Sequence, residues 1–208
     1  MAKEALPGNE GFAARARPAT KDDATALARL VNMAGDGLPL YLWTKLAEGG
    51  DAWEIGRQRA QREEGSFSYR NAIVLEHGKV LACLIGYPIV PAPVDPDTPA
   101  MFVPMNELEA MAVGTWYVNV LATLPEVRGQ GCGTRLLELA DQVADTTNCT
   151  GTSLIVSDAN AHAHRLYERS GYEEVATRPM VKEDWINPGQ NWVLMIKRAV
   201  ARQAGDSE

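Results

Sequence analysis

Residues 121–137, LATLPEVRGQGCGTRLL, leave this chain little freedom in how it can fold. They begin inside an aromatic and β-branched run, 115–124, that reads as a strand. Pro125 has no N–H to give a ladder and ends it. Glycines follow at 129, 131 and 133, and an amphipathic helix over 131–146 aligns Leu136, Leu137, Ala140, Val143 and Ala144 on one face. Such glycines permit positive φ and let a ligand come close to the main chain. Successive N–H groups in a turn of this kind form an anion-binding concavity, and the helix start adds free donors and the positive end of its dipole. The segment therefore reads as a seat for a phosphate or pyrophosphate.

Two common phosphate seats are excluded by spacing. A P-loop needs Lys-Ser/Thr after its last glycine, and here Thr134 and Arg135 follow. The dinucleotide fingerprint needs G-x-G-x-x-G, and the run here is G-x-G-x-G. Elsewhere strands and helices alternate, an α/β signature. Residues 12–17 read as a strand. Thr20 caps a helix that carries Ala24, Leu27, Ala28, Leu30 and Val31 at helical spacing, with Asp22 and Asp23 in its first turn. Gly35-Asp36-Gly37 breaks it. Helical stretches follow at 39–47 and 51–63. Strands at 69–76 and 79–87 share the turn His77-Gly78 and must be antiparallel. The prolines at 88, 91, 93, 96, 99 and 104 exclude helix and central strand there, leaving a linker or a loop folded over a site. A short helix at 105–111, a strand at 152–156, a helix at 160–169 ended by Gly171, and strands at 172–182 and 191–197 complete the order.

The chain has 208 residues and a formal net charge of −7, which weighs against nucleic acid as a ligand and suits a cationic small molecule. No apolar run approaches the roughly 20 residues of a membrane helix. Residues 1–11 read as a loose leader without a secretory core, 12–198 as one domain and 199–208 as a charged tail. The expected setting is the cytoplasm. Cys83, Cys132 and Cys149 give neither a disulfide framework nor a zinc pattern. His77, His162 and His164 have no metal spacing and read as surface residues, so no metal is expected.

Arg128-Gly129-Gln130-Gly131-Cys132-Gly133 resembles the Q/R-x-x-G-x-G/A acetyl-CoA motif of the GNAT superfamily of N-acetyltransferases. Downstream, residues 160–172, NAHAHRLYERSGY, resemble that superfamily's N-x-x-A-x-x-L-Y-E-x-x-G-F/Y segment, in the right order and at the right distance. The likeness is strongest over 117–175. It implies a mixed, mostly antiparallel sheet flanked by helices, with a splayed strand pair forming an acetyl-CoA cleft. It implies pantetheine contacts at Leu121, Ala122 and Thr123. The pyrophosphate would lie on the amides of Gly129, Gln130, Gly131, Cys132, Gly133 and Thr134, with Arg128 opening the motif and Asn160 touching the cofactor. Tyr167, seven residues after Asn160 and on nearly the same helix side, would protonate the departing thiolate. Cys132 reads as filler, since the contacts are backbone groups.

The resemblance implies direct attack of a primary amine on the thioester. Thiol and phenol differ by about 2 kcal/mol at ordinary pKa values of ~8.5 and ~10, so a tyrosine is a workable acid. An alkyl ammonium costs about 4.6 kcal/mol to deprotonate at pH 7 and needs a proton acceptor. Several members place a glutamate five residues before the asparagine; here that position is Ile155. Glu107 and Glu109, just before the central strand, are the substitutes, and Asn119 could orient a water. Tyr41, Trp43 and Trp53 could wall an acceptor pocket or fill the core. The expected acceptor is a small-molecule amine, and a homodimer is compatible with the reading. A protein amine as acceptor, or a CoA-binding sensor without catalysis, stays open.

Overall fold

The computed structural model describes residues 14–93 and 95–199. Of the segments read above, 1–11 and most of 199–208 lie outside the described residues, as do Phe12 and Ala13. Seven strands form one sheet in the order β1-β2-β3-β4-β5-β7-β6. They are β1 (Arg15–Pro18), β2 (Ala72–His77), β3 (Lys79–Pro88), β4 (Trp116–Thr123), β5 (Gly151–Ser157), β6 (Glu173–Pro179) and β7 (Asn191–Arg198). The described helices are α1 (Ala24–Ala34), α2 (Leu38–Leu46), α3 (Ala52–Ala60), α4 (Val103–Ala110), α5 (Cys132–Thr146) and α6 (Ala161–Arg169). The mixed, mostly antiparallel sheet flanked by helices is therefore as expected.

Each flanking helix docks through the stripe its sequence dictates. Ala24, Leu27, Ala28, Leu30 and Val31 of α1 are all buried. So are Leu136, Leu137, Ala140 and Ala144 of α5, each leucine contributing about 1.5–3 kcal/mol of apolar burial. Val143 is only half-buried, at the stripe's margin. Thr20 does cap the chain here: Asp23 accepts from the Thr20 N–H at 2.8 Å and from its hydroxyl at 3.3 Å, ahead of a short 3-10 turn that leads into α1. Asp23 also takes the Arg17 guanidinium in two bonds of 2.7 and 2.9 Å, locking β1 to this helix start.

Several boundaries differ from the sequence reading for local reasons. Residues 69–71 make a 3-10 turn before β2, because the Ser68 hydroxyl accepts from the Arg70 N–H. α3 stops at Ala60, and β6 stops at Pro179. Pro104 sits in the first turn of α4, where a missing N–H costs nothing, so the helix starts earlier than 105 and the proline does not exclude it. Pro88 is the last paired residue of β3, opposite Trp116.

Two features of the sheet shape what lies above it. β4 and β5 are its parallel pair and are in register only at Trp116–Thr152 and Tyr117–Ser153. From Val118 onward the strands part, so the β5-facing edge of β4 has no ladder partner. On its other edge β4 pairs with β3, but Ile85 meets Val120 and Gly86 meets Val118, leaving Asn119 as the extra residue of a bulge. Gly86 is required there: a Cβ would overlap the Trp116 ring and lie 2.5 Å from the Tyr117 carbonyl oxygen.

Candidate active site

The parting of β4 and β5 opens a cleft of about 770 Å³. Its floor is Val118, Asn119, Leu121, Ala122 and Thr123 from β4 facing Leu154, Ile155, Val156 and Ser157 from β5. An unpaired strand edge presents N–H and C=O groups that a polar, extended ligand arm can take up in place of a neighbouring strand.

The glycine turn forms one rim. After a single 3-10 turn at Pro125–Val127, Arg128 is extended and Gly129 and Gly131 take φ of +75° and +82°. A Cβ at either glycine would meet nothing within 4 Å, so the need for glycine is conformational, and the space beside them is open. Gly131 is the residue preceding α5; no side chain caps that helix, and its first turn holds no acidic residue. The leading N–H groups of a 15-residue helix and its dipole thus face the cleft without a counter-charge from the first turn. Gly133 serves packing instead: a Cβ there would be 2.9 Å from Leu166 Cδ2 on α6.

Arg128, Gly129, Gly131, Cys132, Gly133 and Thr134 all line the cleft. Gln130 is not on its wall; its amide reaches back to the Glu126 carbonyl at 3.4 Å. Cys132 is buried, and desolvation raises its thiol above the ordinary range, the opposite of an activated nucleophile.

α6 forms the facing rim. Asn160 caps it, its Oδ1 accepting the Ala163 N–H at 3.1 Å, and also lines the cleft. Asp158, the alternative cap, is occupied by the Gln190 and Asn191 N–H groups at 2.8 and 2.9 Å. The helix ends in a left-handed Gly171, φ +90°, with the Gly171 and Tyr172 N–H groups bonded to the carbonyls of Glu168 and Tyr167. Tyr167 is 8% exposed, packs against the Tyr172 ring at 5.8 Å and opens onto the cleft. Burial pushes its phenol well above the ordinary value, so it carries its proton throughout the neutral range.

The two candidate glutamates stand apart from this constellation. Glu107 is exposed and paired with Arg178 at 2.6 Å. Glu109 is half-buried beside Tyr87 and Tyr117; desolvation raises its carboxyl, and its charge adds to the burial that holds both phenols up. Neither is among the cleft-lining residues, and none of the described residues of 88–104 is either, so the described part of the proline-rich loop does not fold over the site. Ile155 presents an apolar wall where a glutamate would be the simplest base. Trp43 is core, stacked on Phe67 at 6.0 Å with Trp53 at its edge, so these tryptophans do not build an acceptor pocket. His162 is exposed on the cleft wall, whereas His164 has a buried Nε2 and is not the surface residue expected.

Sequence reasoning passed over the remaining wall. Met33 and Ala34 from the end of α1, Gly35 and Asp36 from the α1–α2 turn, and Ile186, Asn187 and Pro188 from the β6–β7 loop complete the cleft with Trp192. These loops hold each other: the Trp185 indole donates to the Asp36 carbonyl at 3.2 Å, and Glu183 accepts from Lys45 at 2.7 Å and Tyr41 at 3.2 Å. Two loops far apart in sequence leave no spacing signal. Among the described residues no group of three or more His, Cys, Asp or Glu could hold a metal ion.

The seven-stranded sheet is thus split at its parallel pair, with a bare helix start on one rim of the split. Residues 39–172 match the Acetyltransferase (GNAT) family, and the chain belongs to that family. A crystal structure described as an acetyltransferase superposes with a TM-score of 0.62 at 22% identity, over 88% of this chain and 98% of that one. An N-acetyltransferase from Staphylococcus aureus Mu50 gives 0.59 at 18%, over 88% and 99%. The ribosomal-protein-S18-alanine N-acetyltransferase from Escherichia coli gives 0.57 at 16%, over 94% and 99%. Likeness at this identity shows the shared fold. No curated protein matches the chain.

Proposed function

We propose that this protein transfers the acetyl group of acetyl-CoA to the primary amine of a small-molecule acceptor. The observation that carries the reading is the coincidence, in one cleft, of a bare helix N-terminus, an unpaired strand edge and a buried tyrosine. The residues suit the coenzyme: the amides of Gly129, Gly131, Cys132, Gly133 and Thr134 offer donors to a pyrophosphate, and the free edge at Leu121, Ala122 and Thr123 offers partners to an amide-bearing arm. Gln130 contributes through its main chain at most, and Arg128 supplies charge at the turn. A β4 N–H near Leu121 or Ala122 is the donor for the thioester oxygen.

Tyr167 is the general acid. Burial makes a phenol a weaker acid, but it raises a desolvated thiolate's proton affinity for the same reason, so the mismatch of about 2 kcal/mol in water does not widen in proportion. Of the two glutamates, Glu109 sits beside Tyr87 and Tyr117 rather than on the cleft wall. Glu107 is engaged by Arg178.

The test is thiol release from acetyl-CoA across polyamines, aminoglycosides, amino acids and basic peptides. Release with small amines supports the proposal. Release with peptides alone makes the acceptor a protein, and coenzyme binding without release of thiol makes the protein a CoA-responsive binding module.

A further inference from the structure

We infer that Asp36, on the same cleft wall as Asn187, is the docking group for the acceptor's cationic amine. The inference rests on the acetyltransferase reading and adds the substrate class and a specificity-determining residue. Asp36 lies on the cleft wall in a left-handed main-chain conformation, φ +48°, between Gly35 and Gly37. Non-glycine residues seldom adopt that conformation, and the Trp185 indole holds it through the Asp36 carbonyl. The side chain is thereby left free for the cleft.

It forms no ion pair with any described side chain. Its carboxyl is raised by desolvation and lowered by the neighbouring Asn187 amide. Asn187 is 7% exposed and belongs to the same wall. Its Oδ1 accepts the Gly189 N–H at 2.7 Å, and its carbonyl accepts from Lys182 at 2.9 Å, so the residue is fixed at two points. Its Nδ2 is buried and has no hydrogen-bond partner. A buried amide donor is costly to leave unpaired, so this wall asks for a polar ligand atom beside Asp36. A carboxyl side chain on a cleft wall, next to that open donor and without an ion-pair partner among the described side chains, fits an ammonium.

The remaining wall agrees. Around Asp36 and Asn187 stand Met33, Ala34, Ile186, Pro188 and Trp192, an apolar surround suited to an alkyl chain. Ile186 is 93% exposed, a side chain that an acceptor would cover. The cleft's cationic side chains, Arg128 and Arg169, come from the glycine turn and α6. Lys182 is spent on the Asn187 carbonyl, and among the described residues no cation lines the Asp36 wall for a carboxylate-bearing acceptor.

The experiment compares wild type with Asp36→Asn, a residue that tolerates the left-handed conformation and removes only the charge. Binding of butylamine, 1,4-diaminobutane and glutamate is read by tryptophan fluorescence, since Trp192 lines the cleft and Trp185 bonds Asp36. CoA affinity and melting temperature are measured in parallel. The expected result is saturable binding of both alkyl amines and not of glutamate, weakened about tenfold or more in Asp36→Asn with CoA affinity unchanged. Equal amine affinity in the two proteins, or no saturable response of the wild type, overturns the inference. Binding lost in Asp36→Asn without thiol release by the wild type upholds the docking site and removes the transfer reading.

Discussion

Replacing Gly131 by glutamate separates what the glycine turn does for the fold from what it does for the coenzyme. Gly131 has φ +82°, and a Cβ added there touches nothing within 4 Å. The fold therefore feels only left-handed strain, about 1 kcal/mol for a residue with a Cβ. In a domain of this size that lowers the melting temperature by about 2–4 °C. The coenzyme feels far more. A carboxylate about 4 Å from a phosphate charge costs about 4 kcal/mol at an effective dielectric constant of about 20. At about 1.4 kcal/mol per decade this approaches a thousandfold loss of CoA affinity. Gly131→Ala carries the same strain without the charge. Its melting temperature should match that of the glutamate variant, while its affinity loss stays smaller by about the Coulomb factor. Thermal denaturation and calorimetric CoA titration read the two quantities, and raising the salt should shrink the glutamate penalty. A folded glutamate variant with wild-type CoA affinity would falsify the placement of the pyrophosphate on this turn.

Three further outcomes are expected. Tyr167→Phe keeps the packing on Tyr172, so stability and CoA affinity stay near wild type while turnover falls about a hundredfold; unchanged turnover removes Tyr167 from the chemistry. Gly151→Ala drives a methyl at φ +145° into the Lys197 carbonyl, 2.8 Å from Arg198 Cα, where backbone cannot yield. It should cost about 3 kcal/mol or more in urea denaturation, and a loss below about 1 kcal/mol refutes the close approach of β5 and β7. The Asp23 carboxyl is held below its ordinary value by the Arg17 hydrogen bonds. A depressed carboxylate stabilises the fold above its unfolded pKa of ~3.9, and that stability drains away as pH falls through the lower folded value. Stability should thus drop as the pH falls below about 5, and Asp23→Asn should flatten that drop; an identical acid limb in the variant refutes the linkage.

The half of the molecule that was legible is the half where backbone conformation dictates residue type. A left-handed turn before a helix asks for glycine, so Gly129, Gly131 and Gly171 announce their φ values in the sequence. Helical stripes behave the same way, which is why the buried residues of α1 could be named from spacing. Boundaries were less legible where a single side-chain contact decides them, as at Ser68 and at Pro104. The place of Tyr167 on the cleft could be read from its motif, but the distance of Glu107 and Glu109 from the cleft could not, because closeness in sequence to the central strand does not fix which face a helix presents.

The acceptor wall was illegible for a further reason, and it is one of physics rather than of missing data. A pyrophosphate is bound by amides, which every residue has, so its site is written as the permission to turn, in glycines. An amine is bound by a carboxylate, of which the chain has 27, each individually unremarkable in sequence. What singles out Asp36 is a contact with Trp185, 149 residues away, and the company of an amide two residues beyond that. Only the meeting of the β6–β7 loop with the α1–α2 turn brings these groups together. On the proposed docking of the amine at Asp36, a change of acceptor needs substitutions in those two loops alone, with the glycine turn, α6 and the β4–β5 split left as they are.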